Sequence, residues 1–437
     1  MQDTVGVRRE DIDDAERRAP FTPVHVKKLI NKYGLRVIVE KSNNRIFSND
    51  VFSRAGAMVA DELSDCNVIF GVKEIPLHRL LSQQAYCFFS HTIKGQFHNM
   101  PMLKRMLDLR NTLIDYEKVT DRRGKRLIYF SRYAGYAGMI NTLWALGLRL
   151  KWENFKTPFS DILQTFRYSS LEEAREKIRE LGQKITQMGI PEDVVPFICG
   201  FTGYGQVSQA AQEIFDLLPH AEIPPSQLKI FMEQGDFSNR MVYKVIFRES
   251  DMFAPMNSDK EFHLKEYYDH PELYRSVFEE YIPYLTILIN GIYWEPKYPR
   301  LVTKHYLNKL FQEKENISLR IIGDISCDVN GSIECNVTTT NFLNPIYVYN
   351  PLKDDIIYGH EGQGIVILAV DKLPSELPAE STQSFGDALL PFVPSLARVN
   401  FKQPLNDLNL PEEFQKAVIA HNGKLSPDYK YLLNYLK

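Results

Sequence analysis

The sequence predicts an α/β protein with mostly parallel sheets, divided into two domains. Three observations lead there. Strand-like and helix-like segments alternate along the whole chain, as in successive βαβ units. A strand-like run at Val194–Cys199 leads into a glycine turn and at once into a helix over Val207–Leu218. The chain has 437 residues, too many for one ordinary core.

Taken in order, Val5–Arg8 reads as a first strand. Thr22 and Pro23 open a helix as N-cap and first residue, with Val26, Leu29, Ile30 and Tyr33 on its apolar face and Gly34 at its left-handed exit. Leu35–Val39, Asn67–Gly71, Ala85–Phe89 and Leu127–Phe130 read as further strands. A long apolar helix follows from about Ala134 to Leu150, then an amphipathic one over Leu171–Gly189. Beyond the glycine turn, Tyr284–Gly291, Leu319–Ile325 and Gly364–Val370 are strand candidates. Leu373–Pro378 is a turn and Glu380–Leu390 a helix.

Composition narrows the function. Hydrophobic residues make up 44% and charged residues 24%, both ordinary for a folded globular protein. A net charge of -3 gives no electrostatic reason to expect nucleic acid or an anionic membrane, so an anionic ligand needs a local cluster of cations. The five cysteines include no CxxC pair, which argues against a metal site and a disulfide framework and suits a reducing compartment. No apolar run reaches membrane-spanning length, and the N-terminus lacks the apolar stretch of a signal peptide. The expected setting is cytoplasmic, or mitochondrial if an import sequence has been removed.

The glycine turn runs Gly200-Phe-Thr-Gly203-Tyr204-Gly205-Gln-Val207-Ser208. Gly203 permits the tight turn, Gly205 lets a pyrophosphate approach the backbone, and the helix start offers unpaired N–H groups to the anion. A tight strand–helix turn without a ligand would use the same residues. An acid about twenty residues on, at the end of the second strand, would bind the ribose of NAD. His220-Ala-Glu222 carries Glu222 but no acid at the apparent strand end, which leans toward NADPH/NADP+ while leaving NADH/NAD+ open.

Chemistry-bearing residues gather beside the early strands. Lys73 follows Gly71-Val72, and His91 follows Phe88-Phe-Ser90. A lysine and a histidine at strand ends can serve as general acid and base, though singly each is more often structural. Arg17 and Arg18 precede the first helix, and Arg122, Arg123, Lys125 and Arg126 surround a glycine. The second group reads either as a solvated basic hairpin or as a wall for carboxylates, which guanidinium groups clamp with two hydrogen bonds.

Several segments resemble the lysine–ketoglutarate reductase family, the saccharopine-forming dehydrogenases related to alanine dehydrogenase and the transhydrogenase N-terminal region. They are Gly71-Val-Lys-Glu-Ile-Pro76, Phe89-Ser-His-Thr-Ile-Lys-Gly-Gln96, Tyr133-Ala-Gly-Tyr-Ala-Gly138, Ile289-Asn-Gly-Ile-Tyr-Trp-Glu295, Asp324-Ile-Ser-Cys-Asp328, Gly331-Ser-Ile-Glu334 and Phe385-Gly-Asp-Ala-Leu-Leu-Pro391. They occur in the family's order and cover nearly the whole chain.

The resemblance implies two Rossmann-like domains with the active site in the interdomain cleft. Residues 1–134, completed by 373–437, would form the substrate domain, with a dinucleotide-binding domain inserted over 135–372. It implies reductive condensation of L-lysine with 2-oxoglutarate to saccharopine, or the reverse, in lysine degradation, without a metal. By motif position, Lys73 and His91 match the acid–base pair and Glu117 an acid that tunes it. Arg18, Gln96, Lys125, Arg126 and Phe130 match saccharopine-binding positions. Gly203, Tyr204, Gly205 and Val207 are assigned to the dinucleotide, with Asn290, Gly291, Asp324 and Ser326 on its nicotinamide side. A separate glutamate-forming saccharopine dehydrogenase is the expected functional partner. Two rival readings are another amino-acid dehydrogenase of the same superfamily and a non-catalytic dinucleotide sensor.

Overall fold

The computed structural model describes residues 3–314 and 317–436. The chain divides into two compact units: one runs up to Phe130 and resumes at Pro378, and the other is Ser131–Leu377. The sequence reading placed these limits at 134 and 372. The first shifts because the long helix begins at Ser131 and belongs wholly to the second unit. The second shifts because Leu373–Glu376 is a 3₁₀ turn that packs with that same unit.

The first unit is built on an eight-stranded sheet. Its parallel run is Thr112–Asp115, Ala85–Phe88, Val68–Phe70, Thr4–Val7, Arg36–Glu40 and Met58–Ala60, in that spatial order. Val418–His421 joins antiparallel beside Thr112–Asp115, so the returning C-terminal segment completes the sheet. The central strands are buried on both faces, which is why they read as short continuous apolar runs. The helix Pro23–Tyr33 is set by the expected devices. Thr22 Oγ1 accepts the His25 N–H at 3.3 Å, His25 Nδ1 accepts the Thr22 N–H at 3.2 Å, and Gly34 exits at φ 70°.

Leu127–Phe130 is not a strand. Ile128 is buried in the core and Phe130 stacks on Phe385 with ring centroids 4.7 Å apart, so the apolar run serves packing without a strand edge to join. Thr112–Asp115 and Met58–Ala60 are strands that the sequence reading passed over.

The second unit also holds an eight-stranded sheet. Its parallel core orders His220–Glu222, Val242–Phe247, Ile198–Thr202, Ile287–Asn290, Ile321–Asp324 and Ile365–Leu368. Ile346–Asn350 and Asp355–Tyr358 extend it antiparallel. The glycine-turn strand starts later than expected, at Ile198, because Glu192–Val194 is a 3₁₀ turn; Gly200 therefore lies inside the strand. The helix Ser131–Trp152 is buried nearly all round and crosses the helix Gln206–Phe215 closely at Gly135, where a Cβ would sit 2.2 Å from the Val207 carbonyl oxygen.

Glu376, at the end of the 3₁₀ turn, is buried and accepts a hydrogen bond from Asn141 Nδ2 at 2.7 Å. Burial pushes its carboxyl up to about 8. Between the ordinary carboxylate range and that value the folded protein holds a proton that the unfolded chain releases. Stability therefore falls as pH rises through this window, by up to about 1.4 kcal/mol per pH unit. Glu376→Gln keeps the acceptor and removes the charge. Thermal melts followed by circular dichroism should show the variant more stable than the parent above pH 8 and equal to it near pH 4. Parallel curves would contradict this assignment.

Candidate functional site

In the first unit, four adjacent parallel strands end at one edge of the sheet, and each hands a short loop to that edge. Carboxyl ends of parallel strands are where ligands bind in open α/β sheets. After Thr4–Val7 come Glu10, Glu16 and Arg18. After Val68–Phe70 come Lys73 and Glu74, after Ala85–Phe88 comes His91, and after Thr112–Asp115 comes Glu117.

Buried carboxylates hold these loops. Glu10 accepts the N–H groups of Val72 at 2.8 Å and Lys73 at 2.9 Å, which fixes the backbone from which the Lys73 side chain springs. Its burial raises the carboxyl to about 7. Asp115 accepts the Ser90 N–H at 3.1 Å, the Ser90 hydroxyl and the Glu117 N–H at 2.8 Å, so it ties the His91 loop to the Glu117 loop. His91 itself stands at φ 47°, a conformation uncommon for a non-glycine residue. Asn99 Nδ2 donates to its carbonyl at 3.2 Å and Phe89 stacks on its ring at a centroid distance of 6.1 Å. His91 Nδ1 meets Glu74 Oε1 at 2.5 Å. Burial opposes ionisation of Glu74, but the hydrogen bond and charge of His91 overcome it and hold the carboxyl down at about 2. This partner fixes the ring orientation and leaves Nε2 as the nitrogen for other chemistry.

Arg18 is buried, with Glu16 beside it. Its Nε donates to Glu16 at 2.7 Å and a terminal nitrogen at 2.5 Å, and the guanidinium lies 4.3 Å from the Phe130 ring centroid. Glu16 also feels the charge of Lys73. Arg126 lies 5.1 Å from the Phe89 centroid and donates to the Ile128 carbonyl at 2.9 Å. Phe89, Tyr116, Phe130 and Phe385 form one aromatic cluster, and Phe385 comes from the returning helix Pro378–Leu389.

The edge thus brings together Lys73, His91, Glu117, Arg18, Arg126 and Phe130. Gln96 lies farther along the His91 loop, half-buried, with its Oε1 accepting the Lys94 N–H at 3.0 Å. Lys125 is exposed on the hairpin tip, and Arg122 pairs with Glu412 at 2.8 Å. Of the expected basic wall, only Arg126 turns onto the aromatic cluster.

In the second unit, Gly203 sits at φ 75° and donates its N–H to the Phe247 carbonyl at 2.9 Å. Gly205 is the N-cap of Gln206–Phe215 at φ -75°, and a Cβ added there would meet nothing within 4 Å. The fold therefore has no need of glycine at this position, whereas a pyrophosphate lying on the helix N-terminus does. Gly205→Ala should leave the thermal midpoint nearly unchanged and weaken dinucleotide binding about tenfold or more, as read by fluorescence titration. A fully folded variant with parental affinity would contradict a dinucleotide at this turn.

Tyr204 is exposed, and half-buried Val207 lies against Gly291, where a Cβ would come within 3.3 Å of Val207 Cγ1. Asn290 and Asp324 end adjacent strands in register. Their side chains are buried and bound within the protein. Asn290 Nδ2 donates to Asp324 at 2.8 Å and to Ser332 at 2.9 Å, its Oδ1 accepts from Thr202 at 2.8 Å, and Asp324 also accepts from Asn336 at 2.7 Å. The sequence reading put both beside the nicotinamide. These bonds brace the loops that carry Gly291 and Ser326, and Ser326 Oγ in turn donates to the Ile292 carbonyl at 2.6 Å.

The strand beside the glycine-turn strand is not the one the sequence order suggests. His220–Glu222 is an edge strand, and Glu222 stops level with Lys244, 3.7 Å from its ammonium. Val242–Phe247 is the strand that lies beside Ile198–Thr202, with Phe247 level with Thr202. The residues at the ribose position are therefore Arg248 and Glu249. A cavity of about 350 Å³ opens there, lined by Tyr204, Gly205, Glu249, Tyr267, Tyr268 and Gly291 among others. Among the described residues there is no cluster of side chains suited to a metal ion and no helix long and apolar enough to cross a membrane.

Parallel sheets with a glycine-turn phosphate cradle define a dinucleotide-binding α/β protein. The family model described as alanine dehydrogenase/PNT, N-terminal domain, matches residues 6–137, and its C-terminal counterpart matches residues 272–427. Together they take in more than half of the sequence, and the chain belongs to this family. It is 38% identical over 443 residues to an alpha-aminoadipic semialdehyde synthase of Arabidopsis thaliana, covering 98% of this chain and 41% of that protein. It is 37% identical over 441 residues to the mitochondrial alpha-aminoadipic semialdehyde synthase of Rattus norvegicus, covering 98% of this chain and 47% of that protein. The chain thus spans less than half the length of these curated relatives. A saccharopine dehydrogenase [NAD(+), L-lysine-forming] of Emericella nidulans is 27% identical over 405 residues, covering 88% of this chain and 89% of that one. Among solved structures, an L-alanine dehydrogenase superposes with a TM-score of 0.62 at 18% identity, covering 99% of this chain and all of that one, a likeness of fold.

Proposed function

We propose that the chain is a lysine–ketoglutarate reductase, an oxidoreductase acting on CH–NH groups that condenses L-lysine with 2-oxoglutarate and reduces the product to saccharopine. The observation that carries this is the strand-edge set of Lys73, the His91–Glu74 pair and the buried Arg18–Glu16 pair over Phe130. In this reading the ε-amine of the substrate lysine attacks the keto carbon of 2-oxoglutarate to form a carbinolamine. Loss of water gives an imine, and hydride addition to its carbon gives the secondary amine.

Each step before the reduction moves a proton. Lys73 and His91 Nε2 would donate and accept it, with Glu74 fixing the His91 ring and Glu117 tuning the pair. Arg18 and Arg126 supply the cationic side for the substrate carboxylates, with Gln96, Lys125 and Phe130 as further substrate contacts. The ring faces of Phe89 and Phe130 keep both guanidinium groups in place.

The reduction requires a nicotinamide dinucleotide, which supplies the hydride when bound. Gly203, Tyr204, Gly205 and Val207 would cradle its pyrophosphate, and Gly291 and Ser326 stand on the loops assigned to the nicotinamide side. We favour NADPH over NADH because a cation, Arg248, stands at the ribose position. We further propose that this activity belongs to lysine degradation and that the saccharopine passes to a glutamate-forming saccharopine dehydrogenase, an activity distinct from the one assigned to these two units. The setting proposed is cytoplasmic, with the mitochondrion as the alternative raised by the name of the rat relative. The test is oxidation of NADPH and of NADH, followed by loss of the reduced-nicotinamide absorbance, with lysine and 2-oxoglutarate together and singly.

A further inference from the structure

The segment Pro427–Tyr435 is a 3₁₀ helix, with three residues per turn, so Tyr429, Leu432 and Tyr435 share one row. Tyr429 and Leu432 are buried in the core of the first unit, and the Tyr429 hydroxyl donates to the Lys416 carbonyl at 2.6 Å, which anchors the row. The next member, Tyr435, lies against the loop that carries His91 and Gln96. A Cβ on Gly95 would sit 2.6 Å from its ring, and Gly95 stands at φ 68°, so both space and backbone require glycine there. Beside it the Tyr431 hydroxyl donates to the Ile93 carbonyl at 2.5 Å. Two side chains distant in sequence thus grip one short turn.

The loop divides into two parts with separate supports. His91 is held by Glu74, by Asn99 and, through Ser90, by Asp115. The turn from Thr92 to Gln96 is closed by the Gly95 N–H on the Thr92 carbonyl at 2.9 Å and clasped from outside by the two tyrosines. Within it the Lys94 N–H donates to Gln96 Oε1 at 3.0 Å, which orients the amide and leaves Nε2 as the donor for an incoming carboxylate. We propose that Tyr431 and Tyr435 are positioning residues for Gln96, acting through the turn rather than on the substrate: they set the backbone from which the amide reaches the substrate carboxylate. The inference rests on the substrate-contact reading of Gln96 and adds the residues that hold it in place.

Steady-state kinetics with L-lysine and 2-oxoglutarate each varied, and hydrogen exchange of the whole chain read by mass spectrometry, test this together. Tyr431→Phe with Tyr435→Ala should raise the KM of the substrate that meets Gln96 about 3–10-fold, the range of one hydrogen bond, while kcat stays within about twofold because His91 keeps its own supports. The peptide spanning Thr92–Phe97 should exchange about tenfold faster than in the parent, with the peptide over the glycine turn unchanged. Tyr435→Phe keeps the ring and should behave as the parent. Parental circular dichroism is expected of every variant, since both side chains are exposed. Unchanged KM for both substrates, unchanged exchange, or a loss of kcat and thermal stability with no change in KM would overturn the proposal. Faster exchange in a chain that turns over neither dinucleotide with lysine and 2-oxoglutarate would refute the reductase reading and leave the clasp standing.

Discussion

Lys73→Met and His91→Gln should each lower turnover about 10²–10⁴-fold while changing dinucleotide affinity little. The expectation follows from where the two residues stand. Both project from loops at strand ends of the first unit, whereas the glycine cradle is in the second. Neither substitution removes a core side chain, so thermal midpoints should stay close to the parental value. Glu74→Gln should act differently. It retains a hydrogen bond to His91 Nδ1 but removes the negative charge beside the ring, so turnover should fall less than in the His91 variant while affinity for the substrates holds. Steady-state kinetics with both substrates varied would separate these outcomes. Unchanged turnover in both the Lys73 and His91 variants would refute their acid–base roles.

Arg18→Met should have the second large effect, and its cause is double. Removing the guanidinium takes away a carboxylate clamp. It also leaves Glu16, fully buried, without its counter-charge. Breaking a buried ion pair from one side costs about 3–5 kcal/mol. The single variant should therefore melt markedly lower and bind 2-oxoglutarate poorly. The double variant Glu16→Gln with Arg18→Met removes the orphan charge and should regain most of the lost stability, but not the substrate affinity. If it regained both, Arg18 would be a structural residue only. Denaturant titration and the Michaelis constant for 2-oxoglutarate, measured on the same samples, decide between these.

The sequence showed most plainly what depends on short stretches of chain. Gly203 and Gly205 between a strand and a helix were legible because the turn, the cradle and the helix start are all encoded within a few residues. The Thr22 cap and Gly34 exit were legible for the same reason. Lys73 and His91 stood out because they follow strand-like runs. The carboxylates that hold them did not. Nothing local marks Glu10 as the acceptor for the Val72 and Lys73 amides, or Asp115 as the anchor of Ser90, because each bond joins segments at the ends of different strands. The charges of Glu16 and Arg18 are visible in the sequence, but that they close into a buried pair depends on the surrounding fold.

The strand that reads the ribose was missed for a related reason. Counting along the chain assumes that the next strand in sequence lies next in space. Here the short edge strand His220–Glu222 intervenes in sequence but lies outside Val242–Phe247 in the sheet. Strand order is a property of long-range pairing, and Arg248 becomes visible only once that order is known. Leu127–Phe130 shows the converse. Its apolar run looked like a strand, but the aromatic cluster around Phe385 claims it for packing.

Lysine–ketoglutarate reductase activity is decided by mixing the purified chain with NADPH, L-lysine and 2-oxoglutarate and identifying the product by mass spectrometry. NADPH oxidation should require both substrates together and yield saccharopine, with slower oxidation of NADH. No oxidation of either dinucleotide by a sample whose circular dichroism shows it folded, or oxidation with 2-oxoglutarate and ammonia but not lysine, would contradict it.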